Sequence, residues 1–291
     1  MIMKRAIIFF FTLCTSYFSI GQFSPIYQQA SNELKQSKLE IVLTGDERFD
    51  SSLKLVISDE LTIYQYEFIS KDNFEQKHTE GEEVFALILS KGEFDLPMAG
   101  GLVISLKGLE FYGIIREYHQ ASGKYKPGYS IVSYTLNVPG KDGLSLESSL
   151  RLYIRNLNNE VRGQGDDFNA SLKERQDWAQ EVKLIMLDEK FDSSVSTLKK
   201  VYSHDIEKVK AKRIHEAILN NEEVILCMPF IVKTVGGTTD VLYLNYFYLK
   251  DGVIVDRSNT SFLAKKNQDK YKVMKAKAEQ KALKVYAKNV K

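Results

Sequence analysis

Few residues in this chain are of the types that do chemistry, and their spacing is poor for it. Histidine occurs four times, at His78, His119, His204 and His215. His215-Glu216 looks like the opening of a helical zinc clamp, but Leu219 stands where the second imidazole of an i, i+4 pair must be. Cys227 lies within an apolar run at 224–230 (VILCMPF), the setting of a buried small hydrophobe rather than an activated thiolate. No Gly-x-Ser-x-Gly elbow, phosphate-cradling glycine loop or dinucleotide loop is present. The sequence therefore suggests no catalytic residue, no metal ligand set, no cofactor and no nucleic-acid partner.

Two acidic strings remain. DERFDSS at 46–52 recurs as DEKFDSS at 188–194. Each follows a predicted strand, the edge of an α/β sheet where ligands bind. Aspartate also caps helices, because its carboxylate accepts from the first free backbone N–H groups. The expected role is a helix that opens at Asp50 and again at Asp192, with Phe49 and Phe191 plugging the core.

The repetition extends beyond those strings. They are 142 residues apart, Glu82-Glu-Val84 recurs 140 residues on as Glu222-Glu-Val224, and Gly113-Ile-Ile recurs 139 on as Gly252-Val-Ile. Such order at nearly one spacing marks an internal duplication. Each half reads as a strand (39–44, 181–187), a helix, a short strand (66–69, 206–209), a second helix and a continuous apolar strand (84–89, 224–228). Strand–helix alternation argues for parallel pairing with right-handed crossovers.

Hairpins of aromatic and β-branched residues follow, at 102–106 and 111–118 in one half and at 241–249 and 253–256 in the other. The first half alone adds a strand at 129–138. An amphipathic helix closes each half. Leu146, Leu150, Tyr153, Leu157 and Val161 form the stripe of the first, and Tyr271, Met274, Ala278, Ala282 and Val285 that of the second. The fold class is thus α/β with an antiparallel edge: two tandem βαβαβ units, each followed by hairpin strands and a closing helix. The expected segments are a signal peptide over 1–21, a first unit over 22–162, a linker over 163–171 and a second unit over 172–291.

The signal peptide rests on Lys4 and Arg5, an apolar core over 6–13, and small residues Ser19 and Gly21 before Gln22. A membrane span would need roughly 18 or more unbroken apolar residues, and Thr12, Thr15, Ser16 and Ser19 interrupt this one. Lipid attachment at Cys14 is disfavoured, because Leu13 is large where a small residue is wanted. Cleavage near Gln22 would leave Cys227 as the only cysteine, which excludes an intramolecular disulfide even in an oxidising compartment. The chain is expected to be exported, to the periplasm or beyond.

Two surfaces have the makings of partner sites. From residue 265 to the end there are ten lysines against Asp269 and Glu279, so the net charge of +2 hides a mildly acidic body. On a helical wheel Lys277, Lys281, Lys284 and Lys288 share one flank, fit for an acidic partner or an anionic membrane surface. The strand at 243–249 (YLNYFYL) is apolar on both faces, with Tyr246 and Tyr248 on one and Tyr243 on the other, so a ligand-receiving face competes with simple burial.

The Gly-Gln end of the signal segment and the paired strand–helix units resemble exported proteins of unknown function common in Bacteroidetes. The order of elements also resembles the amino-terminal α/β modules of periplasmic proteins such as TolB. Neither resemblance carries a catalytic residue onto a position here. The leading expectation is a non-catalytic envelope protein that binds a macromolecular partner through its sheet edges or the groove between its halves. The alternatives are a small-ligand binder using that cleft, and a hydrolase in which two or more of His204, His215, Asp50, Asp192 and the Glu82 or Glu222 regions converge.

Overall fold

The computed structural model describes residues 38–62, 64–79, 84–97, 103–117, 129–136, 143–162, 168–233, 240–261 and 276–290. The signal segment, Cys14, Glu82, His119, residues 163–167 of the expected 163–171 linker, Tyr271 and Met274 lie outside them. The described chain is α/β, with helices packed on two mixed five-stranded sheets.

The first half contains β1 (Lys38–Val42), α1 (Glu47–Glu60), β2 (Gln65–Ile69), α2 (Lys71–Thr79), β3 (Val84–Pro97), β4 (Val103–Glu117), β5 (Tyr129–Leu136) and α3 (Leu146–Arg162). Its strands lie in the order β2-β1-β3-β4-β5, parallel across the first three and antiparallel beyond. The second half contains α4 (Phe168–Ala179), β6 (Lys183–Leu187), α5 (Val195–Leu198), β7 (Ile206–Val209), α6 (Ala211–Leu219), β8 (Val224–Lys233), β9 (Asp240–Tyr248), β10 (Ile254–Ser261) and α7 (Ala276–Asn289). Its order is β7-β6-β8-β9-β10, with the same change from parallel to antiparallel at the third strand.

Two hairpin expectations are corrected. Residues 103–106 and 111–117 do not form separate strands; they fuse into β4, which pairs with β3 through a register shift at Gly92 and Phe94. The strand at 129–136 is then no extra element, since each sheet has five strands.

Burial follows strand alternation. Leu184 and Met186 of β6 enter one core with Tyr202, Tyr246 and Tyr286. Ile185 and Leu187 enter the opposite core with Ile214, Ala217 and Ile218 of α6. A short apolar run covered on both faces has this form.

Helix α3 has a less ordinary place. Leu150, Tyr153, Ile154 and Leu157 pack on the first sheet's core with Leu39, Ile41 and Val56. Leu152, with Leu144 just before the helix, packs into the second half's core beside Leu187 and Ile218. The helix is buried without a break from Ser148 to Asn158, so it belongs to both halves. Each fully buried large apolar side chain contributes about 1.5–3 kcal/mol, so α3 is anchored in both cores.

The repeated string takes two conformations. In the first half Asp46, not Asp50, caps α1 by accepting from the Phe49 N–H at 3.0 Å. Asp50 lies in the first turn and reaches back, accepting at 2.9 Å from Thr44 N, Thr44 Oγ1 and Gly45 N. In the second half 188–190 form a 3₁₀ turn, and α5 starts only after Ser194, its cap. The cause is local. Between the end of β1 at Val42 and the string stand Leu43, Thr44 and Gly45, whereas β6 runs to Leu187 directly against Asp188. Without those three residues there are no loop amides for the second aspartate to hold. Asp192 is left exposed. Asp50→Ala should therefore cost about 2 kcal/mol, the scale of a lost charged hydrogen-bond set, while Asp192→Ala should stay within about 0.5 kcal/mol. Urea melts of the two variants check the contrast; equal effects would refute it.

Candidate functional site

Among the described residues, those with chemical potential do not converge on a cleft. They meet, if at all, at the junction of the halves around α3. Ser145 caps that helix, accepting from Ser148 N at 3.1 Å. The Ser145 and Ser148 hydroxyls are 2.8 Å apart, and Ser148 Oγ lies 2.6 Å from Nδ1 of His215 on α6. A serine hydrogen-bonded to an imidazole is the first half of a nucleophile–base pair. Two features remove this one from catalysis. Ser148 is fully enclosed, and among the described residues no carboxylate orients the imidazole. What the pair can do is join α3 to α6.

The other members of the expected hydrolase constellation go elsewhere. Asp50 is held in its own loop, Asp192 is exposed, His204 lies edge-on to Tyr202 at 5.2 Å, and Glu222 pairs with Arg213. The constellation is not assembled among the described residues, nor do any three His, Cys, Asp or Glu residues there group as metal ligands.

Next to the serine–histidine contact sits a cluster that the sequence reading missed. Arg155 of α3, nearly enclosed, donates through Nε and Nη2 to the Glu60 carboxylate at 2.8 and 2.6 Å. Its Nη1 crosses to the second half and donates to the Ile218 and Leu249 carbonyls at 2.8 and 3.1 Å. Arg151, one turn earlier, donates to Glu60 at 2.8 Å, to Asp59 at 2.6 Å and to Glu147 at 3.0 Å. Asn158 Nδ2 donates to the Glu60 carbonyl at 2.6 Å. Burial works to raise the Glu60 pKa, but hydrogen bonds from Arg155 and Arg151 outweigh it and hold the carboxyl below its ordinary value. At this place α3 and the cluster bridge the two halves.

The expected partner residues divide. Tyr246 and Tyr248 do share a face, and full burial corrects the ligand-receiving reading for Tyr246. Tyr246 is fully buried and stacks on Tyr286 of α7, centroids 3.8 Å apart and planes 6° off parallel. Tyr248 packs half-buried against Trp178 of α4 at 4.7 Å. Tyr243 lies in β9, opposite Phe230 and Asn259; its side chain is outside the described residues. Cys227 is fully buried in the same core, and burial pushes its thiol pKa up, away from reactivity.

Lys277, Lys281, Lys284 and Lys288 are all exposed on α7. The helix's inner seam differs from the expected stripe: Glu279, Ala282, Leu283, Tyr286 and Val290 face the core. Tyr286 sets that rotation through its stack on Tyr246. Glu279, the helix's one acidic residue, is drawn fully inside, where its carboxylate accepts from the backbone N–H groups of Asp192 and of Ser193, the latter at 2.8 Å. A stripe chosen by apolarity alone cannot include a glutamate, so the seam was misplaced.

Compared with known proteins, the chain matches no protein-family model, no curated protein and no solved structure.

Proposed function

We propose that this chain is an exported, non-catalytic envelope protein built from two tandem copies of one βαβαβ-plus-hairpin unit, which takes a macromolecular partner along its sheet edges. The tandem reading is supported by strand register. Leu39 pairs with Tyr66 and Phe85, and Leu184 pairs with Ile206 and Ile225. Export rests on the amino-terminal pattern of charge, apolar core and small residues, and it agrees with the resemblance to exported Bacteroidetes proteins.

The observation that carries the binding reading is how the sheets end. Each terminates on one side in an eight-residue antiparallel strand, β5 or β10, and among the described residues no further strand pairs with either. Such an edge offers a row of backbone donors and acceptors roughly 27 Å long, enough for an added strand from a partner. The opposite edges, β2 and β7, are only five and four residues long. The ion pairs Lys38–Glu67 and Lys183–Glu207 flank them, and short charged edges resist strand addition.

A photo-crosslinking residue placed in turn at Ser133 on β5, Thr260 on β10, Gln65 on β2 and Glu207 on β7 tests this in intact envelopes. One discrete crosslinked protein from β5 or β10, absent from β2 and β7, is the expected result. Crosslinks spread equally over all four positions, or from none, would overturn it.

A further inference from the structure

The outward face of α7 is uniform in a way few surface helices are. Lys277, Lys281, Lys284 and Lys288 are exposed at spacings of four, three and four residues, which puts them on one stripe about 16 Å long. The helix's only carboxylate, Glu279, is turned inward and held by the Asp192 and Ser193 amides, so no acidic residue of the helix interrupts the stripe. The apolar side is already used: Ala282, Leu283, Tyr286 and Val290 are buried in the second half's core. The helix is thus fixed on a rigid body with its charge facing out.

We infer that this lysine stripe binds an anionic lipid surface, lying flat on phosphate headgroups without inserting. The residue types decide between the two occupants of opposite charge. A protein partner is gripped by aromatic and arginine anchors that fill pockets, and arginine is the residue suited to bidentate carboxylate pairing. The exposed positions of α7 hold four lysines and Asn289, with no aromatic residue and no arginine among them. Lysine is a strongly hydrated point charge on a flexible stem, fit for a diffuse, planar array of phosphates. Five more lysines, Lys265, Lys266, Lys270, Lys272 and Lys275, precede the helix in sequence. The inference does not depend on partner docking at the sheet edges.

Co-sedimentation of the full-length chain with vesicles tests it, using phosphatidylcholine alone and phosphatidylcholine with 30 mol % phosphatidylglycerol as an order-of-magnitude anionic content (~30%). The comparison variant carries Lys277→Gln, Lys281→Gln, Lys284→Gln and Lys288→Gln. Glutamine has nearly lysine's helix propensity, and the amino-terminal segment is common to both proteins, so the difference between them reads the helix face. The expected result is binding that needs phosphatidylglycerol, weakens as salt rises, and falls about five-fold per lysine removed. Thermal melts of the two proteins check that both remain folded. Equal binding of the two proteins, or equal binding to neutral and anionic vesicles, would overturn the inference. Capture of the wild type by immobilised polyglutamate but not by the anionic vesicles would also overturn it, in favour of an acidic protein partner.

Discussion

Arg155→Ala should destabilise the protein by about 3–5 kcal/mol, the cost of removing one partner from a buried ion pair. The side chain is nearly enclosed and makes contacts of two kinds. It neutralises Glu60 through two hydrogen bonds, and it satisfies the Ile218 and Leu249 carbonyls of the other half. Alanine would leave Glu60 with Arg151 alone and take the guanidinium donor from the Ile218 and Leu249 carbonyls at the junction. Arg155→Lys should recover little, since one ammonium cannot reproduce a planar fork that reaches two halves at once.

The same cluster gives a pH dependence. The Glu60 pKa in the folded protein lies below the ordinary carboxylate value, so the unfolded state binds more protons over that range. Its stabilisation is therefore fully present above the ordinary glutamate pKa, and is lost as pH falls through the lower folded value. Urea melts at neutral pH and below pH 4 (approximate, from the usual glutamate range) should show wild type losing more stability than Arg155→Ala. Parallel losses would contradict the assignment.

Gly252→Val carries the second large effect. Gly252 sits at φ +75° in the turn after β9, and a Cβ there would stand 2.4 Å from the Arg155 Cβ and 2.9 Å from the Asn156 backbone nitrogen. Two costs combine: the left-handed backbone, about 1–3 kcal/mol for a non-glycine residue, and overpacking against α3, about 1–3 kcal/mol. Gly45 separates them, because it has a similar φ of +84° with nothing within 4 Å of its would-be Cβ. Gly45→Ala should thus cost only the backbone part, about 1–2 kcal/mol. If calorimetry found the two substitutions equally harmful, the close approach of the turn to α3 would not be what matters at Gly252.

Much of the architecture was legible from pattern. The apolar runs at 84–89 and 224–228 belong to β3 and β8, and the lysine flank of α7 is where the helical wheel puts it. What escaped reading has one source: polar residues with inward roles. Ser148, Arg151, Arg155, Asn156 and Asn158 are buried, yet by type they mark a solvent face. Helix α3 therefore reads as a one-sided closing helix when it is a shared core element. Glu279 misplaced the α7 seam in the same way. The DERFDSS and DEKFDSS strings misled differently. Seven nearly identical residues fold as a helix start in one half and as a turn in the other, because Thr44 and Gly45 before Asp46 supply amides that the second half lacks. Local sequence identity does not determine capping when the acceptor's donors lie outside the repeat.

The halves are, on this account, one body joined through α3, not two beads on a linker. The chain's single tryptophan, Trp178, lies in the second half, whereas far-UV circular dichroism reports on both. Urea unfolding followed by the two signals on one sample is the most direct measurement. The account predicts superimposable transitions with one midpoint, the mark of a single cooperative unit. A fluorescence midpoint displaced from the dichroism midpoint, with part of the helical signal surviving after Trp178 is exposed, would show the halves unfolding separately and would contradict it.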